Sequence, residues 1–342
     1  MFKLSSNALQ LSASFLCLLT LAGCGQQAEP QPVKEQITAN QSQNEALDLS
    51  QMCDKLKSGM MQINDQRTTF ALEQINQDLK VCLPLLNLEQ QKEMLRLSTL
   101  MYKNFLHVER TPAQQLAFEK YAFDMAQHPT IHQSHFAQLA LRDQYLLKHK
   151  GQAYVELVDT GAEKLDYRRS PEYLGRIFAP YMPEAESVFI ENLAHQNTEG
   201  VLLDGALTIE PFEIARRALF WEDYIQRYPR SSYLQDAKNL SAHYQRLLFI
   251  GSKASPVSDS YTDKYSVSVS SWEEIAKLAQ SDNSALSKQA QKFLNFYLMT
   301  NAERSKTLGA QQNQSPEQIL TAYLGIPKIT NNKDCFSDAI CI

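Results

Sequence analysis

Residues 214–251 read IARRALFWEDYIQRYPRSSYLQDAKNLSAHYQRLLFIG. Ile214, Ala218, Trp221, Ile225 and Tyr228 recur at i, i+4, i+7, i+11 and i+14, which places them on one face of a helix. Tyr233, Ala237, Leu240, Tyr244 and Leu247 repeat the spacing after an interruption at Pro229-Arg230-Ser231. Proline lacks the N–H and clashes with the preceding turn, so the two stripes predict an antiparallel helical hairpin. The same spacing returns at Leu286, Ala290, Phe293 and Tyr297. Helix starts are marked by Thr111-Pro112-Ala113-Gln114 and Ser315-Pro316-Glu317-Gln318, each with an N-cap hydroxyl, Pro at the first position and Gln at the third. Ser170-Pro171-Glu172 and Ser270-Ser271-Trp272-Glu273 read as further starts. Glycine is sparse, 11 in 342 residues, as long helices require. The fold class is therefore all-α, a set of stacked antiparallel helical hairpins.

Within residues 221–251, Trp221, Tyr224, Tyr228-Pro229, Ser232-Tyr233 and Ala237 resemble one tetratricopeptide-like unit of the Tyr-Pro-x-Ser variety found in envelope lipoproteins and assembly factors. Ile225 and Tyr244 stand where that pattern has small residues, and Phe249 where it has proline. The resemblance implies irregular stacking rather than a regular array. One strand signal occurs, the alternation Tyr265-Ser266-Val267-Ser268-Val269-Ser270. It lies in a Ser-rich stretch that reads as a linker over 252–271, between a helical domain at 45–251 and a C-terminal helical segment at 272–342 packed on or beside it.

The N-terminus divides into zones. Lys3 supplies a positive charge, and Leu9 to Leu21 is an apolar run shorter than the ~20 residues a transmembrane helix needs. Leu21-Ala22-Gly23-Cys24 follows and resembles the lipobox of bacterial lipoproteins. The resemblance implies a signal peptide at 1–23, cleavage before Cys24, a diacylglyceryl group on its thiol and an acyl chain on its amine. Such a chain is anchored to a membrane through its N-terminal lipid. Gly25 stands where the inner-membrane retention signal would place Asp, so the resemblance implies the periplasmic leaflet of the outer membrane. Residues 24–44 are Gln-rich, carry Pro30 and Pro32, and bury too little apolar surface to offset ordering entropy. As a flexible tether they would reach roughly 25 Å.

Without Lys3 the chain has 32 basic against 38 acidic side chains, net −6. This argues against a nucleic-acid partner, which needs a basic face. With Cys17 in the signal and Cys24 carrying lipid, Cys53, Cys82, Cys335 and Cys341 remain. An even number in an oxidising compartment suggests disulfides rather than buried thiols, with three connectivities open. Proximity favours Cys53–Cys82 and Cys335–Cys341. No pair has the spacing of a redox or zinc site.

Three features invite chemistry. His128, His132 and His135 lie within eight residues, and on a helix begun at Pro129 the latter two share a face, with Asp124 or Asp143 as further ligands. A polar N-terminal turn whose histidines are solvated or capping is the expected reading, and no metal or other cofactor is expected. Leu157-Val158-Asp159-Thr160-Gly161 reads like an aspartic-protease loop, but that chemistry needs flanking strands and a partner Asp. A helix end with Gly161 just beyond it is the expected reading. Glu184 and Glu186 are expected in a solvated first turn, and the pairs Arg168-Arg169 and Arg216-Arg217 on solvated faces. Trp221, Tyr228, Tyr233 and Tyr244 are expected in the core, and any groove to be lined from off those stripes, by Tyr224, Arg227 and Gln235. The expectation is a periplasm-facing interaction or scaffold module with an envelope-protein partner. A periplasmic enzyme on peptide or cell-wall substrates is the alternative, and a metal-handling protein using His132 and His135 the third.

Overall fold

A computed structural model describes residues 51–127, 133–161, 164–281, 284–308, 314–329 and 332–342. Cys24, His128 and His132 lie outside them. The all-α reading holds: helices dominate, with two small antiparallel hairpins between them. Among the described residues no helix is long and apolar enough to cross a membrane.

The chain begins with helix α1 (51–61) and α2 (Thr69–Cys82). Cys53 and Cys82 meet at disulfide distance, Cα atoms 5.6 Å apart, so the two helices run antiparallel and are clipped at one end. Asn87 opens α3 (Leu88–Phe105) with a reciprocal capping box to Gln90. Helices α4 (Pro112–Gln127), α5 (Gln133–Phe136) and α6 (Leu141–Lys148) follow. The Thr111 start of α4 is as expected: Gln114 N–H bonds the Thr111 hydroxyl, and the Gln114 side chain takes the Thr111 N–H.

Two strands then interrupt the helices. β1 (Val155–Asp159) pairs with β2 (Leu165–Arg169) in register Val155↔Arg169 through Asp159↔Leu165. The helix end expected at Gly161 is thus corrected to a strand turn. Val155 and Val158 favour the pleat, and the Asp159 carboxylate accepts the Gly161 N–H at 2.8 Å, closing the loop locally. Gly161 has φ +90°, and an added Cβ there would stand 2.6 Å from the Asp204 carboxylate, so the position requires glycine. Asp204 itself lies in the Asp204-Gly205 turn between β3 (Leu202–Leu203) and β4 (Ala206–Leu207). Both turn residues have positive φ, as a two-residue hairpin loop demands.

Helices α7 (Glu172–Ile177) and α8 (Glu184–Thr198) lead to the hairpin α9 (Pro211–Arg227) and α10 (Leu234–Phe249). The expected stripes form its interior: Ala218, Trp221, Ala237, Leu240 and Tyr244 are buried. Helices α11 (Val269–Ala279), α12 (Ala285–Leu298), α13 (Asn301–Leu308) and α14 (Pro316–Leu324) complete the chain. α11 and α12 pack on α9 and α10, and α14 on α12. Ser315 and Gln318 form the expected capping box of α14.

The stretch 252–271 is not a free linker. Val257, Ser258, Tyr261 and Val267 are buried, and the Tyr261 hydroxyl donates to the Ile250 carbonyl at 2.7 Å. The described residues accordingly share one compact unit and one core. The alternation at 265–270 does not become a strand: a 3₁₀ turn at Lys264–Ser266 precedes α11, whose N-cap is Ser268. Ser268 and Ser271 bond one another, a local option that lets a helix start where alternation suggested extension.

Candidate functional site

The α9–α10 turn is held from outside the hairpin. Ser231 bonds the Tyr224 hydroxyl at 2.7 Å and accepts the Tyr233 N–H at 3.0 Å, a hydroxyl-closed turn. From α8, Glu186 accepts the Ser232 N–H at 2.8 Å, and Glu184 accepts the Tyr228 hydroxyl at 2.8 Å. The expected solvated turn at Glu184 and Glu186 is therefore corrected for Glu186, which is buried. A buried carboxylate needs partners, and the Ser232 N–H, with the Ser231 hydroxyl at 3.5 Å, supplies them.

One arginine of each expected solvated pair is also buried. Arg217 bonds Glu213 at 2.6 Å and the Gln196 carbonyl at 3.0 Å, while Arg216 stays in solvent on the other side of Glu213. The Arg216 guanidinium, aided by that of Arg217, holds the Glu213 carboxyl down at about 2. Gln196 also accepts the Trp221 indole N–H at 2.9 Å, so α8 clasps α9 through one side chain. Arg169 is buried against Asp338, with Ser98 within 3.2 Å. Arg168 pairs with Glu156 at 3.0 Å.

Asp338 sits in the C-terminal loop that Cys335 and Cys341 close at disulfide distance. Both expected cysteine pairings are thus brought together. Asn197 donates to the Cys335 carbonyl at 2.8 Å and to that of Asp338. Ala339 is fully buried, so the loop is a plug inserted into the body.

Of the three histidines only His135 belongs to the described residues, and the suggested ligand Asp143 is engaged elsewhere. Asp143 is buried in a two-point pair with Arg110, at 2.7 and 2.8 Å, and accepts the Tyr167 hydroxyl at 3.1 Å. Burial and the neighbouring carboxylate push the Tyr167 hydroxyl far up from its ordinary value. His135 is half-buried in α5. Among the described residues no three His, Cys, Asp or Glu side chains gather as a metal ion would need. Asp159 is exposed and engaged by its own turn, and the chain contains one Asp-Thr-Gly.

The open surface lies along α10. A cleft of about 310 Å³ has Gln235, Lys238 and Ala242 on one wall and Pro327 and Lys328 on the other. It shares Lys328 with a second depression along α14, which in turn shares Arg246 and Glu317 with a third beside Ser252 and Lys253. Of the three expected lining residues, only Gln235 takes part. Tyr224 is buried and donates to the Ala185 carbonyl at 2.9 Å. Burial raises its hydroxyl to about 12. Arg227 pairs with Asp223 at 2.8 Å on the exposed side of α9. Pro327 and Lys328 were missed because nothing local in the sequence brings the end of α14 across α10; the buried Leu320 and Leu324 dock that helix. No protein-family model, no curated protein and no solved structure matches this chain.

Proposed function

We propose that this chain is a bacterial envelope lipoprotein, anchored through lipid on Cys24 to the periplasmic leaflet of the outer membrane, whose helical body is a protein-interaction scaffold. The anchoring rests on Leu21-Ala22-Gly23-Cys24 at the end of an apolar run. Small residues before a cysteine admit the chain to a peptidase cleft, and the thiol is the nucleophile that takes the diacylglyceryl group. Two or three acyl chains, at ~0.8 kcal/mol per buried CH₂, exceed the single chain that gives only reversible binding.

The scaffold reading is carried by one observation: the open groove runs along α10 of the hairpin that resembles a tetratricopeptide unit. The buried acids and bases elsewhere are engaged structurally, Asp143 by Arg110, Glu186 by the α9–α10 turn and Arg217 by Glu213. Hairpin grooves offer a broad surface that binds partner segments without chemistry. In cells, photoreactive residues at Gln235 and Lys328 should each yield one discrete adduct with an envelope protein. Absence of adducts, with turnover of a peptide or cell-wall fragment by the purified protein, would replace the scaffold with an enzyme.

A further inference from the structure

The groove along α10 has a charge opposite to that of the chain as a whole. The protein is acidic, net −5. Yet Lys238, Arg246, Lys253 and Lys328 line the three connected depressions against only Glu317 and Asp259. Arg246 and Glu317 neutralise each other at 3.2 Å. Lys238 and Lys328 face the same cleft from opposite walls, and among the described residues neither forms an ion pair. The rest of the lining is apolar or amide-bearing, with Ile225, Ala242 and Pro327 beside Asn239 and Gln245. Lys238 and Lys328 are exposed while Ala242 and Asn239 are buried, so the cleft offers cations to solvent beside apolar and amide groups, a surface that suits a chain with acidic and apolar side chains in turn.

The dimensions suit a short segment. From Gln235 to Ile250 the helix rises roughly 22 Å, the span of about seven residues of extended chain. Two unpaired cations steer an anion without the dense basic face that nucleic-acid backbones need.

We propose that the α10 groove binds an extended acidic peptide segment of a partner protein, with Lys238 and Lys328 recognising its carboxylates. The proposal rests on the scaffold reading and names the chemistry of its partner.

The test uses the full chain in detergent and fluorescence anisotropy with three probes: a labelled octapeptide alternating Glu and Leu, its Lys and Leu counterpart, and a single-stranded oligonucleotide of equal charge. The acidic peptide should bind saturably, and the other two should not do so below about 1 mM. Lys238→Glu with Lys328→Glu should weaken the acidic peptide at least roughly tenfold, while Lys55→Glu with Lys120→Glu, of equal charge change elsewhere on the surface, should alter it less than about twofold. Unchanged thermal melting of both double variants keeps folding out of the comparison. Equal binding of acidic and basic peptides, preference for the oligonucleotide, or indifference to the groove reversal would overturn the proposal. Should the envelope-protein adduct persist when the peptide test fails, the scaffold reading stands and the acidic-segment proposal alone falls.

Discussion

Glu186 on α8 accepts the backbone N–H of Ser232 at 2.8 Å, and so holds closed a turn that belongs to two other helices. Its neighbour Glu184 makes a bond of similar length to Tyr228, but at the surface. The two carboxylates should therefore differ in worth. Glu186→Ala removes a hydrogen bond made by a buried carboxylate and should cost about 1–3 kcal/mol in urea unfolding; Glu184→Ala, at the surface, should cost less than about 1. Equal losses would mean that the turn closes itself through Ser231.

How much of this was legible follows from where each signal resides. Stripes such as Ala218-Trp221 and Leu240-Tyr244 need only the period of a helix, and the Ser315 and Thr111 starts need only four consecutive positions. The depth of Glu186, Arg169 and Arg217 depends on partners tens to hundreds of residues away, Asp338 for Arg169 among them. A paired arginine in sequence reads as a solvated face because the partner is invisible. The β1–β2 hairpin had a signal that was outweighed: Val155, Val158 and Tyr167 favour strands, and Asp159-Thr160-Gly161 is good turn chemistry. What hides it is the charged run Glu163-Lys164-Leu165-Asp166 after the turn, which lacks apolar alternation. In the groove, Gln235 was legible from its position off the stripe, whereas Lys328 enters only when α14 docks.

Arg216 and Arg217 share Glu213 but not an environment, their side chains being 51% and 2% exposed. Arg217→Ala should cost about 2–4 kcal/mol by emptying the buried side chain's volume and leaving the Gln196 carbonyl without its donor, against less than about 1 for Arg216→Ala. Denaturant melts of both variants check the difference.

The Glu213 carboxyl, held at about 2 against an ordinary 4.5, stabilises the fold while ionised. Because the folded value is the lower one, that contribution is complete above pH 4.5 and is lost as the pH falls towards 2. Its size is at most about 3 kcal/mol. Unfolding free energy measured across this window should drop less steeply for Glu213→Gln than for the parent chain. Parallel slopes would remove Glu213 from the account.

The two disulfides close loops of very different length, with sequence separations of 29 and 6. Loop-closure entropy assigns about 4 kcal/mol to Cys53–Cys82 and about 2 to Cys335–Cys341. Cys53→Ala with Cys82→Ala should therefore lower the melting midpoint further than Cys335→Ala with Cys341→Ala. Non-reducing peptide mapping should join the same pairs; four alkylatable thiols in protein taken from the envelope would contradict both assignments.

The lipid anchor is tested most directly by the intact mass of the N-terminal peptide released from membrane-purified protein. The mature chain should begin at Cys24 and carry a diacylglyceryl group with a further acyl chain. Cys24→Ser should lose that mass together with membrane retention. A mature peptide that begins at Cys24 with a free thiol, or one that still carries residues 1–23, would contradict the account.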